Sequence, residues 1–123
     1  MAKFVEMDER VGIFAQMEED AGPVILINKF SVSPEEFDQF LKGWATEAKK
    51  FKQQPGFIST QLHKGIGGSG TFVNYAVWES AAHFKKAVSI VMDPQEKMSA
   101  YPPSTVASPH LFKKTAVPGI CVD

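Results

Sequence analysis

The side chains best suited to chemistry in this chain lie on stretches that read as β-strands. From Thr71 to Glu79, a period of two puts Phe72, Asn74, Ala76 and Trp78 on one face and Val73, Tyr75 and Val77 on the other. An amide on an otherwise apolar surface costs stability unless it meets a partner. Asn74 therefore either satisfies a local backbone group or projects a paired donor and acceptor into a cavity. Trp78, roughly 13 Å further along the strand, is either a core residue or a platform for a ring. Asn28, in an earlier strand, poses the same question as Asn74. His63 closes the stretch Phe57 to Lys64 and shares parity with Phe57, Ser59 and Gln61. It is either a solvated strand-end residue or a proton carrier at pocket depth, since imidazole titrates near neutral pH.

Other reactive patterns are absent or misplaced. Gly65-Ile66-Gly67-Gly68-Ser69-Gly70 matches the dinucleotide fingerprint by letter, but that motif must feed a helix N-terminus. Here it leads into another strand and reads as a hairpin, one whose mobility could open a lip over a pocket. His83 sits beside Lys85 and Lys86 and reads as surface, while His110 is a candidate for a pocket mouth. The three histidines have no metal-like spacing, so no metal centre is expected. Cys121, the single cysteine, excludes an internal disulfide and a cysteine-based zinc cluster. Arg10 is the lone arginine, so bidentate recognition of phosphate or carboxylate is not the main business.

Positioning these groups falls to a chain of 123 residues, 44% hydrophobic with ten Phe and two Trp, enough for one core. A net charge of −1 argues against a nucleic-acid partner. The longest aliphatic run, Val24 to Ile27, is far short of a membrane span, and the N-terminus carries acids where a secretory signal would be apolar. A cytoplasmic domain is expected. Residues 1–22 hold six acids and two bases, leaving the remainder about +3. With Gly22-Pro23, that shift marks an acidic N-terminal arm ahead of a domain over 23–116 and a tail over 117–123. Within the arm, Val11 to Phe14 is a short strand, a packing segment or part of a loose tail.

The domain begins with a β-rich strand, Val24 to Val32. Ser33-Pro34-Glu35-Glu36 has the form of a capping box, with Val32 and Phe37 placed for a hydrophobic staple. A helix follows on Phe37, Phe40, Leu41, Trp44, Ala48 and Phe51 and stops before Pro55-Gly56. Strands at 57–64 and 71–79 flank the glycine hairpin. A second helix runs from 81 to about 91, a fresh helix start at Asp93-Pro94-Gln95-Glu96 continues to about Ala100, and a last strand covers 106–116. This order predicts an α+β, ferredoxin-like βαββαβ protomer with both helices on one face of the sheet. The other face carries Val73, Tyr75 and Val77, too apolar to leave wet, and so predicts a homodimer closing sheet against sheet.

The strings Gln54-Pro55-Gly56-Phe57-Ile58-Ser59, Leu62-His63 and Val73-Asn74-Tyr75-Ala76-Val77-Trp78-Glu79-Ser80 resemble the antibiotic biosynthesis monooxygenase family. The resemblance covers about residues 23–115 and implies a dimeric α+β barrel of ferredoxin-like protomers. It further implies a cofactor-independent monooxygenase that oxidises a small phenolic or quinol-type aromatic with O2, with no metal, flavin or haem. In a quinone-forming branch, the pocket asparagine and tryptophan fall on Asn74 and Trp78 and the histidine on His63. That branch's tyrosine falls on Phe84, and its arginine falls near Met98 with no arginine here. By this resemblance Asn74 would bond the phenol or carbonyl oxygen, Trp78 would stack or stabilise a radical, and His63 would take or relay the proton. The pocket would be shaped by Asn28, Phe30, Trp44, Phe72 and Phe84, and the phenylalanine at 84 favours a less oxygenated substrate. In the haem-degrading branch the first-strand asparagine matches Asn28. Its catalytic tryptophan and haem-ligating histidine fall on Ala87 and Lys97, so haem degradation is not expected. The alternatives are a non-catalytic ligand-binding dimer and another enzyme, such as an isomerase or detoxifier, on the same barrel.

Overall fold

The computed structural model describes residues 2–92 and 100–123. Its elements are β1 (Lys3–Phe4), α1 (Ile13–Gln16), β2 (Val24–Ser31), a 3-10 turn (Pro34–Glu36), α2 (Phe37–Lys52), β3 (Phe57–Lys64), β4 (Thr71–Trp78), α3 (Ala81–Val91) and β5 (Val106–Phe112). The helix start expected at Asp93 lies outside the described residues, as do Lys97 and Met98. The five strands form one sheet in the order β1-β5-β2-β4-β3. Its last four strands, with α2 and α3, make the ferredoxin-like βαββαβ path that the pattern predicts. β2 pairs antiparallel with both β4 and β5, so the strand carrying Asn28 lies beside the one carrying Asn74. Among the described residues no helix is long and apolar enough to cross a membrane.

The core has two parts, both on the helix-facing side of the sheet. Around Phe40, which is fully buried, the rings of Phe72, Phe30 and Tyr101 lie 4.8, 4.9 and 5.5 Å away by centroid. Around Trp78, the rings of Phe57, Phe84 and Phe51 lie 5.5, 5.6 and 6.1 Å away. Phe72 and Trp78 thus anchor the two ends of β4, and Asn74 and Ala76 lie between them.

The structure changes two local expectations and decides one reading that the sequence leaves open. The capping box does not close: the Ser33 amide donates to Ser104 Oγ (2.9 Å) and the Ser104 amide donates to Glu36 Oε1 (3.1 Å). A serine from the far side of the chain therefore supplies the partner that the local motif would have used. Of the alternatives open for the acidic arm, the packing segment is the one found. β1 pairs parallel with β5, Val11 to Phe14 enters a one-turn helix instead of a strand, and Ile13 and Met17 are buried in the core around Trp78. Glu18 pairs with Lys85 and Glu19 with Lys113. Such exposed pairs are worth under about 1 kcal/mol each, so the apolar contacts hold the arm and the charges orient it. Finally, β5 ends at Phe112, and the stretch to Ala116 is not strand.

Candidate active site

A cavity of about 460 Å3 opens between the inner face of the sheet and the helices. Its floor comes from Leu26, Asn28 and Phe30 of β2, Thr60 of β3, and Asn74, Ala76 and Trp78 of β4. Its roof is Trp44, Glu47, Ala48 and Phe51 on one face of α2 and Phe84 and Val88 on α3. The arm closes a further side with Phe4, Ile13, Phe14 and Met17. The walls are mostly apolar, with few polar groups converging on the space, which is the usual make-up of a small-molecule site.

Two of those groups are amides on adjacent strands. Asn28 and Asn74 are direct partners in the β2–β4 register, so their side chains leave the sheet side by side on its inner face. Thr60 Oγ1 donates to Asn74 Oδ1 at 2.6 Å. With the oxygen end so engaged, the amide turns its Nδ2 donor elsewhere. The Oδ1 of Asn28 is closed off from solvent and accepts no hydrogen bond among the described residues. An amide left short in this way costs about 1–3 kcal/mol. Half a turn about Cβ–Cγ exchanges its two ends, so it can offer a ligand either a donor or an acceptor.

The third polar group is Glu47, one helical turn beyond Trp44 and Gly43 on α2. Tyr101 donates its phenol hydrogen to Glu47 Oε1 at 3.1 Å. Gly43 is buried, and a Cβ there would run into the Ala100 carbonyl oxygen. The lack of a side chain at 43 therefore lets the Ala100–Tyr101 segment lie against α2 and deliver the phenol to Glu47. Burial pushes the Glu47 carboxyl above the ordinary carboxylate range, while the Tyr101 hydrogen bond and Lys50 draw it part of the way back. Burial and the Glu47 charge push the Tyr101 phenol well above its ordinary range, which keeps it a donor.

The structure gathers Asn28, Phe30, Trp44, Asn74, Trp78 and Phe84 around this cavity and leaves the other expected residues outside it. Trp78 is both core and platform: it is 1% exposed, yet it lines the cavity. His63 is exposed on the opposite face of the sheet, its Nδ1 3.3 Å from the Val73 carbonyl oxygen. The cause is a bulge between Phe57 and Ser59. The extra residue reverses the parity of β3, so Phe57 faces inward with Trp78 while Ser59, Gln61 and His63 face outward. Thr60 occupies the inward place that simple alternation would deny it. Phe72 is not a lining residue, because it is packed behind the cavity against Phe37 and Phe40. His110 shares the outer face, opposite Ile27, its ring tilted against that of Phe112 at 4.6 Å between centroids. The glycine hairpin also lies away from the cavity. Among the described residues no cluster of His, Cys, Asp or Glu is arranged to hold a metal ion.

Sequence reasoning passed over Glu47, Tyr101 and Thr60. A glutamate on the apolar face of a helix, at i+3 from Trp44 and i−4 from Phe51, was the available signal for the first. No comparable local signal marks the other two.

Comparison with known proteins agrees with this architecture. The profile of the antibiotic biosynthesis monooxygenase family matches residues 23–89. Deoxynogalonate monooxygenase of Streptomyces nogalater is 33% identical over 72 residues, which is 57% of this chain. The chain spans 58% of the length of that relative. The crystal structure of SnoaB, a cofactor-independent oxygenase from Streptomyces nogalater, superposes with a TM-score of 0.67 at 25% identity, over 80% of this chain and 99% of that one. A Shewanella loihica PV-4 protein superposes with a TM-score of 0.63 at 31% identity, over the same shares.

Proposed function

Given that the chain belongs to the antibiotic biosynthesis monooxygenase family, we propose that it inserts an oxygen atom from O2 into a phenolic or quinol-type aromatic without a cofactor. The observation that carries this reading is the pair of amides, Asn28 and Asn74, side by side on the floor of an otherwise apolar cavity. The cofactor-independent oxygenase among its structural relatives supports the same reading. An electron-rich ring is the reductant: an anthrone-type methylene and O2 become a carbonyl and water, so no outside electron donor enters the balance. What remains for the protein is to seat the ring, stabilise the anion that reacts with oxygen and keep bulk water out. Asn74 Nδ2–H donates to the developing oxyanion, Asn28 bonds a second oxygen of the same ring system, and Trp78, Trp44 and Phe84 flank the ring. Phe84 brings no hydroxyl to the cavity, which favours a substrate with an apolar edge at that wall.

Oxygen uptake by purified, chelator-treated protein against a panel of anthrones, hydroquinones and catechols tests this. Uptake that yields the carbonyl product supports the proposal, and tight binding of the same compounds with no uptake refutes it in favour of a binding protein. His63→Ala serves as the control variant and should keep turnover within about twofold, because its imidazole lies on the far face of the sheet.

We further propose a homodimer closed through the outer face of the sheet. That face carries half-buried Ile25, Ile27, Val73 and Val77, with Tyr75 40% exposed. A contiguous apolar surface of this kind marks an interface. Tyr75→Glu should shift the species seen by light scattering from two chains to one, while wild type remaining a single chain would refute the dimer.

A further inference from the structure

We propose that Glu47, held by Tyr101, is the proton acceptor that converts the bound aromatic into its oxidisable anion. This rests on the monooxygenase reading and supplies what His63, turned outward by the β3 bulge, cannot. Glu47 and Tyr101 are the two titratable side chains among the described residues that line the cavity. Tyr101 takes one carboxylate oxygen, Oε1, and no hydrogen bond to Oε2 exists among the described residues, so that oxygen is the one placed to receive a proton. Tyr101 is itself fixed, 6% exposed and stacked at 5.5 Å on Phe40, so it holds the carboxylate in one orientation.

The proton balance closes on this residue. The substrate C–H or O–H bond breaks, its electron pair stays on the ring as the anion, and a carboxyl O–H forms. After the anion and O2 combine, the carboxylic acid returns that proton to the peroxide. The carboxylate then takes the second methylene proton as the O–O bond breaks to a carbonyl and hydroxide, and the proton goes on to the hydroxide to make water. A carboxyl raised by burial suits both directions, since a base works best when its affinity for protons lies near that of the medium. Tyr101 and Lys50 are the charged or titratable neighbours that oppose the rise.

The test separates this step from oxygen chemistry. Anthrone is incubated with the protein in D2O without oxygen, and exchange of its methylene protons is followed by NMR. Wild type should accelerate exchange, and Glu47→Gln should lower it at least about a hundredfold. The glutamine still accepts the Tyr101 hydrogen bond and removes a buried charge, so the variant should melt no lower than wild type. Tyr101→Phe removes a hydrogen bond to the carboxylate, so the acid limb of the exchange rate should move to higher pH; a merely structural role would leave that limb in place. Equal exchange by wild type and Glu47→Gln, or none by wild type, overturns the inference. Exchange that depends on Glu47 in a protein that consumes no oxygen upholds it while refuting the monooxygenase reading. Oxygen uptake unchanged in Glu47→Gln does the reverse.

Discussion

Replacing Asn74 with alanine is expected to slow oxygen uptake about a hundredfold, the usual effect of removing one preorganised donor to a developing oxyanion, while ligand affinity falls only a few-fold. The two effects part because they draw on different contacts. Affinity comes mainly from apolar walls, among them Trp44, Phe51, Trp78 and Phe84, which the substitution leaves in place. Rate, on the proposed mechanism, depends on a donor aimed at charge that grows only as the ring ionises. Asn74→Asp keeps the shape but presents a negative charge to an anion, and it should be at least as slow. Thr60→Val, which frees the Asn74 amide to rotate by removing the 2.6 Å hydrogen bond, should fall between the variant and wild type. Measuring kcat together with Kd from tryptophan quenching checks all three. An Asn74→Ala protein with wild-type kcat would move the oxyanion site away from β4.

The second large effect is on stability. Phe40→Ala should cost about 3–5 kcal/mol, read from urea unfolding midpoints at constant m. Phe40 is fully buried, and its ring meets Phe30, Phe72 and Tyr101 within 5.5 Å. No neighbour can swing in to fill the space, because each ring is already pinned by the others and by the sheet. A domain of this size commonly holds about 5–15 kcal/mol in total, so the variant should be marginal at 37 °C. Phe40 does not line the cavity, so the molecules that remain folded should bind ligand much as wild type does. A loss under about 1 kcal/mol would mean that the aromatic cluster repacks, and Tyr101 would then not be held as rigidly as its contact with Glu47 requires.

Most of the frame was legible in the chain, and the reason is that its signals are local and redundant. The helix from Phe37 repeats its apolar residues over four turns, and the strands at 57–64 and 71–78 are bounded by Pro-Gly and a glycine run. The second helix starts at Ala81, where the sequence places it, and Ser80 caps it by accepting from the His83 amide at 3.0 Å. Period two alone puts Asn74 and Trp78 on one face, and strand order follows from the βαββαβ path. Where the readings parted from the molecule, a contact between distant residues outweighed a local rule. One added residue at Ile58 turned His63 outward and Thr60 inward, and alternation cannot reveal a bulge that depends on the partner strand. Ser104 took over the groups of the Ser33–Glu36 cap from about 70 residues away in sequence. The acidic arm looked detachable by charge, yet Ile13 and Met17 find apolar surface that only the assembled sheet offers. Asn28 and Asn74 were visible one by one, but their pairing is a matter of register. Glu47 and Tyr101 lie 54 residues apart, and nothing short of the fold brings a carboxylate and a phenol together inside an apolar cavity. The sequence by itself determined the helices and strands of the βαββαβ path, their order and the apolar inner face of β4, because periodicity and turn chemistry act within a few residues. Which polar groups meet in the cavity was decided by the tertiary structure, because burial, register and long-range hydrogen bonds exist only once the chain has closed on itself.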